Sequence, residues 1–391
     1  MHLKHLSVLV IDAWMPTPDR DSASLRIANL LDVLEDMVGT LTFGVGDSPD
    51  WRALDTMHGS PFPRQDAQIK LLSGHAAVES HLDACGRSYD VVILSRLSTA
   101  RRYMQAVRGK APQAVVIFDT TDLHYLRGFR GARVTGNAKL MQSALLAKRD
   151  ELALVREADS TLVVSTVEQA ILADECPGAP VHVVSNIHTA SRSPRLFSER
   201  SGIVFVGSFA HHPNIDAMAH FCERVLPLLR ARIEDVKVTV IGPHVPDWLR
   251  EASAEDFIVT GYVPEIEPYF DSCRVSIAPL RYGAGVKGKV LLSMGYGVPV
   301  VASSIAAEGI PVEDGRDVLI ADSAEGFSNC VAELHTNQAL WERVSVNGLK
   351  IVDRHFSAFA ARTALSSLFD GLGLGARREI RPDRHVSTEL S

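Results

Sequence analysis

Residues 279–303, PLRYGAGVKGKVLLSMGYGVPVVAS, place Lys287 and Lys289 between a glycine-rich loop and the first turn of an expected helix. No Asp or Glu occurs between Asp271 and Glu308. A helix N-terminus already carries about half a positive charge on its unpaired N–H groups, and each further exposed positive charge there costs about 0.3–1 kcal/mol. A bound anion reverses that sign. Free N–H groups, glycines that admit close approach (Gly283, Gly285) and two ammonium groups make a phosphate site. The plain alternative is a solvated lysine pair on a surface turn. Val286, Val290 and Met294 recur every four residues, so one face of the helix should be buried.

The same stretch matches Gly-x-Gly-x-x-Gly at Gly283, Gly285 and Gly288, with Glu308 downstream. That pattern alone is weak evidence for a dinucleotide. Here it follows the fourth expected strand of its domain, and the next strand ends in Ser303-Ser304 rather than an acid. A second chemical cluster is FDTTDLHYLRGFRGARVTG, residues 118–136, where Asp119, Thr121, Asp122 and His124 follow a strand and can reach a cleft. Arg127, Arg130 and Arg133 recur every third residue, suited to a phosphorylated or lipid-diphosphate acceptor, or to a solvated face. Residues 13–21, AWMPTPDRD, offer Asp19 and Arg20 to an acceptor, while Asp21 or Ser22 caps the next helix. His211 and His212 have no carboxylate or cysteine at ligand spacing, so no metal site is expected.

Those groups must be held by something. Short β-branched runs at 6–12, 40–46, 69–72, 89–95, 114–120, 160–165 and 181–186 alternate with helix-period segments, notably 22–37 and 137–158. A polar Ser, Arg and Pro-rich break covers 188–202. The series restarts with runs at 202–208, 237–243, 257–263, 275–280, 298–304 and 317–321, a helix over 213–232 with Pro213 in its first turn, and helices at 324–335 and 339–354. The expected fold is α/β, with two Rossmann-like domains facing across a cleft. The expected units are an acceptor domain over 1–195 and a donor domain over 196–356. A helix over 357–372 and a disordered polar tail over 373–391 follow.

The bulk numbers agree with a globular chain. Of 391 residues, 46% are apolar and 22% charged, enough for two cores without covalent staples. The net charge of −7 gives no general field for nucleic acid. Five scattered cysteines without a Cys-x-x-Cys pair argue against a disulfide framework or zinc ribbon. No apolar run nears the roughly 20 residues needed to span a bilayer, and the N-terminal apolar run is short for a leader. A cytoplasmic protein is expected, with a peripheral contact at the inner face of the membrane left open.

PLRYGAGVKGKVLLSMGYGVPVVASSIAAEGI resembles the donor segment of the retaining glycosyltransferases of family 4, which have the GT-B fold. So do FVGSFAHHPNIDAMAHF (205–221), VTGYVPEIEPYFDSCRVSIAPL (259–280), DGRDVLIADSAEGFSNCVAEL (314–334) and RHFS (354–357). PTPDRDSASLRIANLL (16–31) and FDTTDLHYLR (118–127) are similar to a bacterial branch of that family. The resemblance implies transfer of a sugar from a nucleotide-diphosphate sugar, with retention and without a cofactor or metal. The acceptor would be a saccharide, a lipid-linked sugar or a protein glycan, in surface polysaccharide assembly. It assigns the leaving diphosphate to Lys287 and Lys289, the phosphate approach to Gly207 and Ser208, and the base to backbone at Val263 and Pro264. Relatives often place a sugar-contacting histidine at the end of the strand before residue 120; Asp119 falls at that point here and His124 five residues later, and these two are the candidates for sugar contact or acid–base work. From the residues themselves, Glu308 can reach sugar hydroxyls or cap the following turn, and Asp19, Arg20, Arg127 and Arg130 can meet the acceptor.

Two departures matter. Many relatives carry Arg at the Ser208 position and Lys near Pro213, so more of the charge falls on Lys287 and Lys289. The family's two signature glutamates align with Ala284 and Leu292. A ribose hydroxyl beside leucine forfeits a charge-assisted hydrogen bond of roughly 1.5–3 kcal/mol. A catalytically degenerate nucleotide-binding or scaffold protein is therefore the alternative reading. An epimerase or a phosphorylase on the same fold is a weaker one.

Overall fold

A computed structural model of the chain describes residues 3–46, 68–193 and 195–375. Every expected β run forms a strand. The first series is β1 (Leu3–Asp12), β2 (Val38–Val45), β3 (Lys70–Ser73), β4 (Val91–Ser95), β5 (Val115–Asp119), β6 (Ser160–Val163) and β7 (Val181–Val183). The second is β8 (Ile203–Val206), β9 (Val238–Ile241), β10 (Phe257–Gly261), β11 (Val275–Ala278), β12 (Val300–Ala302) and β13 (Leu319–Ile320).

The strands form two sheets, ordered β3-β2-β1-β4-β5-β6-β7 and β10-β9-β8-β11-β12-β13, and every pairing is parallel. Each order reverses beside its own first strand, between β1 and β4 and between β8 and β11. Ligands of such sheets gather beyond the carboxyl ends of the strands at that reversal.

Helices cover both faces of each sheet, which is why the strands read as unbroken apolar runs. In β1, Val8 and Val10 pack on one side with Leu30 and Leu34, while Leu9 and Ile11 pack on the other with Tyr103 and Val107. The expected helix over 213–232 is interrupted. It runs as His212–His220, a π turn over Phe221–Val225, then Leu226–Arg230. Pro227 has no N–H to continue the ladder, and the wider turn absorbs the break.

The last helix, Ala358–Gly371, crosses back to the first domain. Its Ala361, Leu365, Leu368 and Phe369 join the core that contains Leu30 and Leu34. Its Arg362 pairs with Asp36 on the helix Ser22–Met37. The expected tail lies outside the described residues from 376 onward.

Candidate functional site

The carboxyl ends of the two sheets face each other and meet at the lysine loop. Gly285 has φ of 63°, and a Cβ there would lie 3.0 Å from the Asp122 Cβ and 3.1 Å from Val164. Only glycine suits both the backbone and the contact. The helix Gly288–Gly295 begins against Ser22, whose Oγ would sit 1.9 Å from a Cβ at Gly288. Ser22 opens the helix Ser22–Met37, so two helix N-termini converge on this seam. Neither has an acid in its first turn. Buried His188 stands beside them, pulled down to about 4 by desolvation and therefore neutral at pH 7.

Both lysines turn inward. Lys287 is buried at the N-cap position of its helix; its Nζ donates to the Gly285 carbonyl at 2.7 Å and lies 3.9 Å from Glu308. Desolvation pulls it down to about 8, against the opposing pull of Glu308. Lys289 lies under the loop after β8: its Nζ would be 2.8 Å from a Cβ on Gly207. That Nζ donates to Asn214 Oδ1 at 2.5 Å, and Asn214 Nδ2 donates to the Ser208 carbonyl at 2.7 Å. It also sits 4.0 Å from the centre of the Phe205 ring. Desolvation alone draws Lys289 to about 7, and among the described residues no carboxylate pairs with it. The cation therefore stands at the β8–β11 reversal, beside the Gly207 and Ser208 backbone, with an aromatic face and an amide for company.

The structure corrects the expectation that this positive cluster is wholly uncompensated. Glu308 comes back to it from the turn after β12. Arg130 grips both Glu308 oxygens, at 2.7 and 2.8 Å, and also donates to the Gly283 carbonyl at 2.9 Å. Arg130 is thus a strut between the domains, not a free acceptor ligand. Arg127 is likewise engaged, with Asp122 and with His124 Nδ1 at 2.7 Å. The every-third-residue arginines diverge: two turn to the seam and Arg133 alone is exposed.

Asp119 is also corrected. It is fully buried, bidentate with Arg26 at 2.8 and 2.9 Å, and accepts from Ser95 Oγ at 3.0 Å. A carboxylate so enclosed holds β4, β5 and the first helix together and is closed to a substrate. His124 does stand at the cleft, exposed at the start of the helix His124–Thr135. Surrounding protein and then Arg127 hold it below the ordinary imidazole range. His211 approaches from the other domain, also held low by its surroundings and by Arg127 and Lys289.

Asp19 and Arg20 reach across the cleft. Tyr262, beside Val263 and exposed Pro264, donates its hydroxyl to Asp19, and Arg20 lies 5.5 Å from the Tyr262 ring centre. Both residues therefore clamp the loop after β10. Ala284 is half-buried, and Leu292 joins Val206, Val263 and Tyr296 in an apolar cluster, with no acid supplied by that helix.

Two buried acids escaped the sequence reading. Glu168 accepts from the N–H groups of Leu123 at 2.9 Å and Val164 at 3.2 Å; Glu151 accepts from those of His124 and Tyr125, each at 3.1 Å. Desolvation pushes them up to about 7 and about 8. They shape the 120–125 loop that Gly285 presses on. Their helical neighbours gave no sign of it, because the partners are backbone groups of distant segments.

Residues 200–337 match the family model described as "Glycosyl transferases group 1". Among curated proteins, an "Uncharacterized 44.6 kDa protein in cps region" of Klebsiella pneumoniae is 23% identical over 176 residues, 43% of this chain. That match spans 45% of the relative, less than half its length. Among solved structures, Anabaena HepE in complex with UDP and glucose superposes with a TM-score of 0.68 at 13% identity, covering 94% of this chain and all of that one. Sucrose-phosphate synthase from Thermosynechococcus elongatus gives 0.65 at 14% identity over 95% of this chain and all of that one. The pneumococcal O-GlcNAc transferase GtfA in complex with UDP and GlcNAc gives 0.56 at 14%, over 76% of this chain and 60% of that one. The chain has the GT-B fold, and its second domain is similar in sequence to the group 1 glycosyl transferases.

Proposed function

We propose that the chain transfers a sugar, with retention, from a nucleotide-diphosphate sugar to a saccharide, lipid-linked or protein-glycan acceptor. The observation that carries this reading is Lys289, a desolvated ammonium with no carboxylate partner at the β8–β11 reversal. A diphosphate placed against Gly207, Ser208 and the start of the Gly288–Gly295 helix would complete both lysines. Charge developing on the leaving diphosphate would be met by Lys287, Lys289 and the helix N-terminus, preorganised and largely dry, where such stabilisation is worth most. Neutral His124, at the cleft, would contact the donor sugar.

The solved relatives with UDP and sugars support a nucleotide-sugar donor. The relative in the cps region supports a role in surface polysaccharide assembly. Such a role would suit a cytoplasmic chain working at the inner face of the membrane. Among the described residues no helix is long and apolar enough to cross a membrane. The reading requires no cofactor, since the protein's own cations serve the phosphates.

A second reading rests on Ala284 and Leu292: a nucleotide-binding scaffold without turnover. Incubation with a panel of nucleotide sugars separates the two. Release of nucleoside diphosphate with any donor supports transfer or hydrolysis. Binding by calorimetry with no release from any donor supports the scaffold.

A further inference from the structure

The first domain has its own sheet reversal, between β1 and β4; Asp19 and Arg20 of the loop after β1 are taken up by Tyr262, and the start of that loop and of the loop after β4 have no role above. The register pairs Ile11 with Leu94, so Ala13 and Arg96 leave the sheet side by side and Trp14 follows at once. Trp14 is 53% exposed, although Ala13 and Met15 on either side are buried. Arg96 takes φ of 76° without being glycine. Such backbone costs of order 1–3 kcal/mol and persists where surrounding structure enforces it, commonly at functional sites.

Asp12 does the enforcing. It is wholly buried, and its Oδ1 accepts from Arg96 Nε at 2.6 Å and from the Ala13 N–H at 2.6 Å. The Arg96 N–H also donates to the Asp119 carbonyl at 2.8 Å. With Nε pinned, the two terminal nitrogens of the guanidinium have no acceptor among the described residues, and the side chain is 21% exposed. An open fork of donors and an exposed indole therefore leave adjacent strands at the carboxyl edge of the sheet.

Charge selects the ligand class. Arg96 already feels Asp12, Asp21 and Asp119, and Asp119 is answered by Arg26. An anion would meet Asp12 and Asp21 with little positive charge left over. Two neighbouring hydroxyls can accept from the fork without adding charge, and the apolar face of a sugar ring suits indole. We propose that Trp14 and Arg96 form the acceptor subsite and take an uncharged saccharide ring, with Trp14 under its C–H face and the Arg96 fork on two vicinal hydroxyls. This rests on the sugar-transfer reading for its purpose, although binding itself can be tested alone.

Saturation-transfer NMR on the full chain tests it, with methyl glycosides of the common neutral hexoses and with glucuronate as the anionic counterpart, in the presence and absence of UDP. At least one neutral glycoside should bind. Trp14→Ala should weaken it about tenfold, and Trp14→Phe should restore most of the loss. Arg96→Lys, which keeps the charge but loses the fork, should also weaken it. UDP affinity should not change in any of the three. Binding of no neutral glycoside, preference for glucuronate, or unchanged binding in Trp14→Ala overturns the subsite. Failure of the wild-type protein to bind any nucleoside diphosphate overturns the donor reading instead, and the glycoside titration still decides the subsite.

Discussion

If Lys289 and Lys287 receive the diphosphate, donor binding must depend on pH in a defined direction. The ligand-free values are about 7 and about 8, both below the ordinary lysine value of 10.5. An anion favours the charged forms, so both values rise in the complex and binding takes up protons. At pH 6 nearly every molecule has both ammonium groups. At pH 8 about one in eleven has Lys289 charged and about half have Lys287 charged. Affinity should then fall on the order of ten- to twenty-fold from pH 6 to pH 8, roughly 2 kcal/mol. A nucleotide sugar is the right probe, because its diphosphate is esterified at both ends and does not itself titrate in this range. Calorimetry with UDP-glucose, and with other bases if that fails, should also show a binding heat that varies linearly with buffer ionisation enthalpy, the slope giving the protons taken up.

Lys289→Met sharpens the test. At pH 6 it should cost a charge-assisted hydrogen bond of about 1.5–3 kcal/mol, roughly 10- to 150-fold in affinity. The remaining pH dependence should shrink to the shallow step from Lys287. The ligand-free protein should behave oppositely. A half-buried, desolvated ammonium whose value is depressed on folding destabilises the fold most below about pH 7, and stability recovers as pH rises toward the unfolded value. Lys289→Met should therefore raise the thermal midpoint of the free protein at pH 6 while weakening the donor. Flat donor affinity from pH 6 to 8, or a Lys289→Met protein that binds like wild type, refutes this assignment.

Three further outcomes follow. Asp119→Asn should destabilise the protein by about 3–5 kcal/mol in denaturant unfolding, because it leaves buried Arg26 without its counter-charge; normal stability with lost activity would restore a catalytic role. Gly288→Ala should clash with Ser22, costing about 1–3 kcal/mol, and Ser22→Gly should recover most of that in a double-mutant cycle. Additive effects would mean the two helix starts do not touch. Glu308→Gln removes the acid beside Lys287 and breaks the Arg130 fork, so nucleoside diphosphate binding should hold or tighten while sugar release slows; weaker nucleotide binding would contradict the geometry.

The alternation of β-branched runs and helix-period segments made the two sheets legible, since each strand is defined within a few residues of itself. The lysine loop was legible for the same reason: its glycines, lysines and missing acids lie within one short segment. What escaped was pairing over distance. Asp119 and Arg26 are 93 residues apart, Arg130 and Glu308 are 178 apart, and Tyr262 and Asp19 are 243 apart. Local spacing cannot show that Asp119 is spent on an ion pair or that Glu308 returns to the lysines. Arg96 was invisible for a related reason, because its importance lies in a positive φ and in a partner on another strand. The final helix shows the limit at larger scale: its apolar face is plain in sequence, but its destination on the first domain is not.

The central claim is that the inward-facing lysines await a diphosphate between the two domains. A crystal structure with a nucleoside diphosphate tests it most directly. The account predicts phosphate oxygens within hydrogen-bond distance of Lys289 Nζ and of the Ser208 backbone, with Lys287 close by. A nucleotide bound elsewhere, or Lys289 still bonded only to Asn214 with the phosphates remote, would contradict it.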